Sequence, residues 1–167
     1  MRVHGRGGAG AGTPTGWPVN YYTSPPGSGV NGTTANQVSV LGFALPAQGV
    51  FSTLSAYISV PDGINNSDIG IYNVAGTLVA HIGAQTTSGN NDYHDFAIVG
   101  APVTLPPGLY AYAWTSAGST LSIGSNAGIR TWLYNANIAA SVGGALPASI
   151  GALSISATDR HAQFALF

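Results

Sequence analysis

Leu109-Tyr110-Ala111-Tyr112-Ala113-Trp114-Thr115-Ser116 is the stretch whose reading decides the fold. Side chains alternate faces along a strand, so Tyr110, Tyr112 and Trp114 share one face while Leu109, Ala111 and Ala113 share the other. Neither face is polar, which predicts a strand covered on both sides. The aromatic face suits the interior of a sandwich, where each ring buries a large apolar area, and the Ala face permits close approach of another surface. The opposite arrangement would display the rings as a sugar-stacking platform. Interior packing is the preferred reading, because an exposed aromatic row on a sheet invites aggregation.

Working outward, short apolar runs of period two alternate with Gly, Pro, Asn and Asp from Asn36 onward, the pattern of antiparallel β structure. Gln37 to Phe43 reads as a first strand and Val50 to Val60 as a second. In the latter Leu54, Ala56, Ile58 and Val60 share one face and Phe51, Thr53, Ser55, Tyr57 and Ser59 the other. Asp68 to Val74 and Thr77 to Gly83 read as a hairpin across Ala75-Gly76. Tyr93 to Val99, Val103 to Leu105 and Leu109 to Ser116 follow, then Thr120 to Ser125 and Gly128 to Tyr134. Asn135 to Leu153, rich in Ala, Gly and Ser, reads as a long loop with at most a helical turn. Ser154 to Ala157 and His161 to Phe167 read as a closing pair around Thr158-Asp159-Arg160. No amphipathic helix of ordinary length occurs. The expectation is an all-β, antiparallel two-sheet sandwich, jelly-roll-like, with an extended N-terminal arm.

The division predicted is a Gly/Pro-rich attachment arm over residues 1–34 and a β-sandwich domain over residues 35–167. Gly5 to Thr34 cannot bury a core of its own, yet it holds the compact cluster Trp17-Pro18-Val19-Asn20-Tyr21-Tyr22. Trp17, Tyr21 and Tyr22 read as the anchor of an arm that could reach about 100 Å when extended. They either dock on a neighbouring protein or cap this chain's own sandwich, and docking is preferred.

Composition narrows the chemistry. The charged residues are four Arg and five Asp, 5% of the chain, with no Lys, Glu or Cys and a net charge of -1. A free monomer ordinarily carries a far more charged surface, so much of this one is expected to be covered, and a homotrimer is the expected form. Two basic residues near the start make no nucleic-acid patch, and no run of eighteen apolar residues predicts a membrane span. No signal peptide is read at the N-terminus, so assembly in the cytoplasm of a host is expected.

A nucleophile or general acid could come only from Asp, His or a hydroxyl. Asp62, Asp68, Asp92, Asp95 and Asp159 each sit in or beside a turn cluster, where Asp has a local reason to be, so no carboxylate pair and no catalytic residue are assigned. Asn90-Asn91-Asp92-Tyr93-His94-Asp95 offers oxygen and imidazole ligands but matches no known cation-loop spacing. No metal and no cofactor are assigned. Asn65, Asn66, Asp92, Tyr93 and His94 are the candidate contacts to a glycan or a partner. His4, His81, His94 and His161 show no ligand spacing.

Ser67-Asp68-Ile69-Gly70-Ile71-Tyr72-Asn73-Val74-Ala75-Gly76-Thr77-Leu78-Val79-Ala80, followed by Val103-Thr104-Leu105-Pro106-Pro107-Gly108-Leu109-Tyr110-Ala111-Tyr112-Ala113-Trp114, resembles the hairpin and Pro-Gly turn pattern of β-sandwich modules in bacteriophage tail fibres, tailspikes and related virion proteins. The resemblance spans roughly Asn36 to Ser125 and implies a homotrimeric, non-enzymatic virion protein, with no fixed site residues to transfer. The expectation is a tail appendage attached to other virion proteins through its arm and binding a host surface polysaccharide. The alternative is a capsid cement or decoration protein stabilising the head. A polysaccharide-cleaving enzyme is the weakest of the three.

Overall fold

The computed structural model describes residues 29–88, 92–133, 138–153, 156–162 and 164–166. The arm residues Trp17, Tyr21 and Tyr22 lie outside them. The described strands are β1 (Gly29–Gly32), β2 (Gln37–Leu45), β3 (Gly49–Phe51), β4 (Thr53–Val60), β5 (Asn66–Asn73), β6 (Leu78–His81), β7 (Gln85–Thr86), β8 (Asp92–Ala97), β9 (Val103–Leu105), β10 (Gly108–Ser116), β11 (Ser122–Leu133), β12 (Ile138–Ala140), β13 (Ser156–Ala162) and β14 (Phe164–Leu166). They form an all-β antiparallel sandwich. One six-stranded sheet, sheet 1, runs β1-β11-β4-β14, with β13 also on β11 and β8 also on β4. The other, sheet 2, runs β12-β2-β10-β5-β6, with β7 also on β5, and β3 pairs with β9 in a small ribbon.

The decisive strand β10 sits in the middle of sheet 2, with Tyr112 opposite Leu41 of β2 and Ile71 of β5. Its aromatic face points inward. Tyr110, Tyr112 and Trp114 pack with Leu41, Phe43, Ile69 and Ile71 against Leu54, Ala56, Ile58, Ile123 and Leu166 of sheet 1, forming the main core. The Ala face is covered too, but from within the chain. Ala111, Ala113, Val38, Val40 and Tyr72 pack under Leu146, with Leu78, Ile150 and Leu153 beside them.

The segment 141–153 therefore acts as a strap across sheet 2. It is tied by main-chain bonds from Leu78 N to Ala148 O, Ile150 N to Gly76 O, Leu153 N to Val74 O and Ser141 N to Asn36 O. At Gly76, with φ of 76°, the strap passes so close that an added Cβ would meet the Gly151 carbonyl oxygen at 1.7 Å. A doubly apolar strand thus needs no second copy to cover it.

Several sequence expectations shift. Val50 to Val60 is two strands, because the parity of burial changes at Ser52: Phe51 joins the same core as Leu54, Ala56 and Ile58, and β3 leaves to pair with β9. Val60, expected on the inner face, is 40% exposed. The two strands expected between Thr120 and Tyr134 are one, β11, whose pairing with β13 shifts register between Ala127 and Thr131. Thr158-Asp159-Arg160 makes no turn but runs through β13, with Thr158 opposite Thr131 and Arg160 opposite Ala127. Within the segment assigned to the arm, β1 pairs with Ser122–Ser125 of β11, and the buried Thr33 hydroxyl donates to Leu121 O at 3.1 Å.

Candidate functional site

Two clusters of candidate residues come to the end of the sandwich at which β4 terminates. After Val60 the chain turns through Pro61-Asp62-Gly63, and Asp62, only 2% exposed, organises that turn. Its Oδ1 accepts from Asn65 N at 3.1 Å and Asn65 Nδ2 at 3.0 Å, while Oδ2 accepts from the Ser116 hydroxyl at 2.9 Å. Asp62 N donates to Thr87 Oγ1 at 2.9 Å, which draws the β7 end to the same place. Burial pushes the Asp62 carboxyl up, and the bonds from Asn65 and Ser116 more than offset it, holding it below the ordinary carboxylate value. Charge-assisted bonds to an ionised acceptor have this sign. Asn65 is thus engaged inside the loop, whereas Asn66 is exposed and opens β5 opposite Thr86.

Asp92, Tyr93 and His94 lie on β8, whose pairing partner among the described strands is β4. Asp92 stands opposite Ile58, Tyr93 opposite Tyr57, His94 opposite Ala56 and Asp95 opposite Ser55. Tyr93, half-buried, meets the Tyr57 ring edge-on with centroids 5.2 Å apart. Asp95 accepts a hydrogen bond from the Ser55 hydroxyl, and Asp92 Oδ1 accepts from Tyr93 N at 2.8 Å. His94 turns toward the sandwich, where its Nε2 is buried without a hydrogen-bond partner. Asn90 and Asn91 lie outside the described residues. Among the described residues no group of three or more His, Cys, Asp or Glu is gathered to hold a metal.

The sequence reading missed a third arrangement. Asp68, expected to open a strand beside a turn cluster, lies within β5 opposite Thr115, fully buried. Its Oδ2 accepts from Leu146 N of the strap at 3.0 Å and from His81 Nδ1 at 2.8 Å. A carboxylate only accepts, which places the proton of His81 on Nδ1. Nearby, the Tyr72 hydroxyl donates to Pro147 O at 2.6 Å, and the hydroxyls of Thr115 and Ser141 lie 2.7 Å apart. Burial, with the Asp68 charge adding to it, raises the Tyr72 phenol well above its ordinary value. These groups fasten the strap to the sheet.

Of the five carboxylates expected in or beside turn clusters, Asp62 organises the turn after β4. Asp68 and Asp95 lie inside strands, Asp92 opens one, and Asp159 lies on β13. Their described bonds are to main-chain N–H groups, neighbouring hydroxyls, an amide and an imidazole, the connections of a framework. No protein-family model matches this chain, and no curated protein matches it.

Proposed function

We propose that this chain is a non-enzymatic structural module of a bacteriophage virion, held in place by its N-terminal arm and packing against protein neighbours in the manner of a decoration or cement protein. One observation carries the choice of partner. Every aromatic ring whose side chain is described is buried or half-buried, and among the described residues the exposed large apolar ones are aliphatic: Val50, Val60, Ile64, Val74, Val99, Leu109 and Val142. Sugars are recognised by stacking on exposed aromatic faces with converging polar groups. Aliphatic surface with little charge is desolvated best against another protein.

The non-enzymatic part of the proposal draws on the absence of Lys, Glu and Cys from the sequence and on the structural duties of Asp62 and Asp68. The virion part draws on the resemblance carried by Ser67 to Ala80 and Val103 to Trp114. A second reading, a tail appendage binding host polysaccharide, draws on Tyr93, the half-exposed ring beside Asp92, Asp95 and His94 on β8. The test is direct. Particles purified from the host that produces this chain are analysed by mass spectrometry and labelled with gold-conjugated antibody. Stoichiometric presence on the head is expected, label confined to the tail moves the second reading into first place, and absence from the particle refutes both.

A further inference from the structure

Two turns at the end of the sandwich where β4 terminates hold aliphatic side chains out in water. Among the described residues Ile64 and Val142 are the most exposed large apolar side chains, at 90% and 85%, and the next, Val50, is at 58%. They are far apart in sequence but belong to one apex. Gly144 stands so close to the start of β5 that an added Cβ would collide with Asn66 O, and one added at Gly118 would collide with Asp62 Oδ2. Ile64 and Val142 each lie two residues along the chain from the Gly144–Asn66 contact.

Both turns are fixed by their own chain. Asp62 Oδ1 accepts from Asn65 N, a side-chain closure of the turn that holds Ile64 in between. Val142 precedes Gly143 and Gly144, whose φ values of 61° and 74° make a tight turn closed by Ala145 N on Val142 O at 3.2 Å, the conformation that needs two consecutive left-handed residues. The buried Ser141 ties this turn to Asn36 O through its N–H and to Thr115 through its hydroxyl. Side chains displayed on fixed turns lose little freedom when a partner buries them.

We propose that this apex is a docking surface that seats in an apolar, uncharged recess of a protein of the particle, the same body that takes the arm. The inference rests on the virion reading and names a second surface through which the chain is held. Charge selects the chemistry of the partner. The turns 61–66, 116–121 and 141–145 contain one charged residue, Asp62, and it is buried, so a charged recess would be desolvated with nothing to pair. Lipid surfaces are bound by apolar side chains flanked by Lys or Arg, and these turns hold neither. Size argues against a free second copy, because two aliphatic side chains cover far less than the about 800 Å² per partner of a stable interface. A small contact holds when another attachment raises the local concentration. β1 supplies that proximity: Gly32 pairs with Ser122 and Thr33 N donates to Leu121 O at this same end, and the arm joins the sandwich at Gly29, about 10 Å from Gly32 at about 3.3 Å per residue.

Particles carrying the full chain test it, with retained copies counted by quantitative mass spectrometry after washes at about 0.1 M and about 1 M salt. Wild type should be held equally at both, since screening does not weaken an uncharged contact. Ile64→Asp/Val142→Asp should keep the wild-type thermal transition, because both side chains already stand in water, and should lower retention at least about tenfold. Val50→Asp/Val99→Asp, at the other end of β4, should be retained as wild type. Should the apex Asp pair disturb folding, Ile64→Ser/Val142→Ser should show the same loss of retention. Apex variants retained at the wild-type level, or an equal loss from the Val50/Val99 pair, overturn the apex contact alone. Wild-type oligomers that sediment as monomers once the apex is changed overturn the choice of partner in favour of a second copy. Flotation of wild type, but not of the apex variant, with phosphatidylcholine/phosphatidylserine vesicles overturns it in favour of lipid. Wild type absent from particles overturns the virion reading and this contact with it.

Discussion

Replacing Leu146 with Ala removes the side chain through which the strap plugs the Ala face of sheet 2. Leu146 is 6% exposed and packs on Val38, Val40, Tyr72, Ala111 and Ala113. Three carbons lost from this contact amount to about 2.4 kcal/mol at about 0.8 kcal/mol for each buried methylene. The strap cannot fully collapse into the space, since Ala148, Ile150 and Leu153 fix its main chain to the β5–β6 hairpin, so a residual cavity adds to the loss. The expected destabilisation is about 3 kcal/mol, a fall in Tm of roughly 6–12 °C for a domain of this size. The assay is urea and thermal unfolding at several protein concentrations. If a second copy rather than the strap covered the Ala face, the loss would vary with protein concentration. A concentration-independent change below about 1 kcal/mol would refute the reasoning, because the Ala face would then need no plug.

Gly76→Ala places a Cβ against the Gly151 carbonyl at a residue with φ of 76°, so both the left-handed penalty of about 1–2 kcal/mol and displacement of the strap should appear in the same unfolding assay. Asp62→Ala leaves Asn65 N without its acceptor and the buried Ser116 hydroxyl with the longer bond to Asn66 O at 3.4 Å, with an expected loss of about 1–3 kcal/mol; Asp62→Asn should lose less, measured by urea midpoint. Because the folded-state value of Asp62 is depressed, its contribution is present above the unfolded carboxylate value of about 3.9 and disappears as pH falls through the lower folded value. Tyr72, Tyr110 and Tyr112 have raised values, chiefly through burial. Their contribution is complete below the unfolded phenol value of about 10 and is lost as pH rises through the folded values, so Tm should fall in strong alkali together with the appearance of tyrosinate absorbance.

How far the sequence revealed this molecule depended on whether a local pattern had one reading. In β10 the alternation made the two faces legible, and in the hairpin across Ala75-Gly76 the turn residues made the pairing legible as well. Around Ser52 pattern and pairing did not agree: a run with no Gly or Pro to break it hid a change of parity that the separate partners of β3 and β4 reveal. Thr158-Asp159-Arg160 has turn composition, but pairing with β11 overrides it. The strap was invisible because Gly, Ala and Ser carry no periodicity, and its place is set by the Ala face beneath it. The Asp68–His81 pair was recoverable in principle. Counting back across the hairpin puts His81 opposite Gly70, diagonal to Asp68 and within side-chain reach. Giving Asp68 a local role beside a turn concealed it. Asn65 and Asn66 are held beside β7 by Asp62 and Thr87, and β8 is placed by its pairing with β4, links that no spacing announces.

Deleting residues 1–28 while keeping β1 tests the central claim, that the sandwich is a structural module and the arm its attachment. The truncated chain should unfold within a few degrees of the full chain's Tm and should fail to enter particles when produced alongside them. Unchanged incorporation would contradict the attachment role, and loss of the thermal transition would show that Trp17, Tyr21 and Tyr22 belong to the core of this chain.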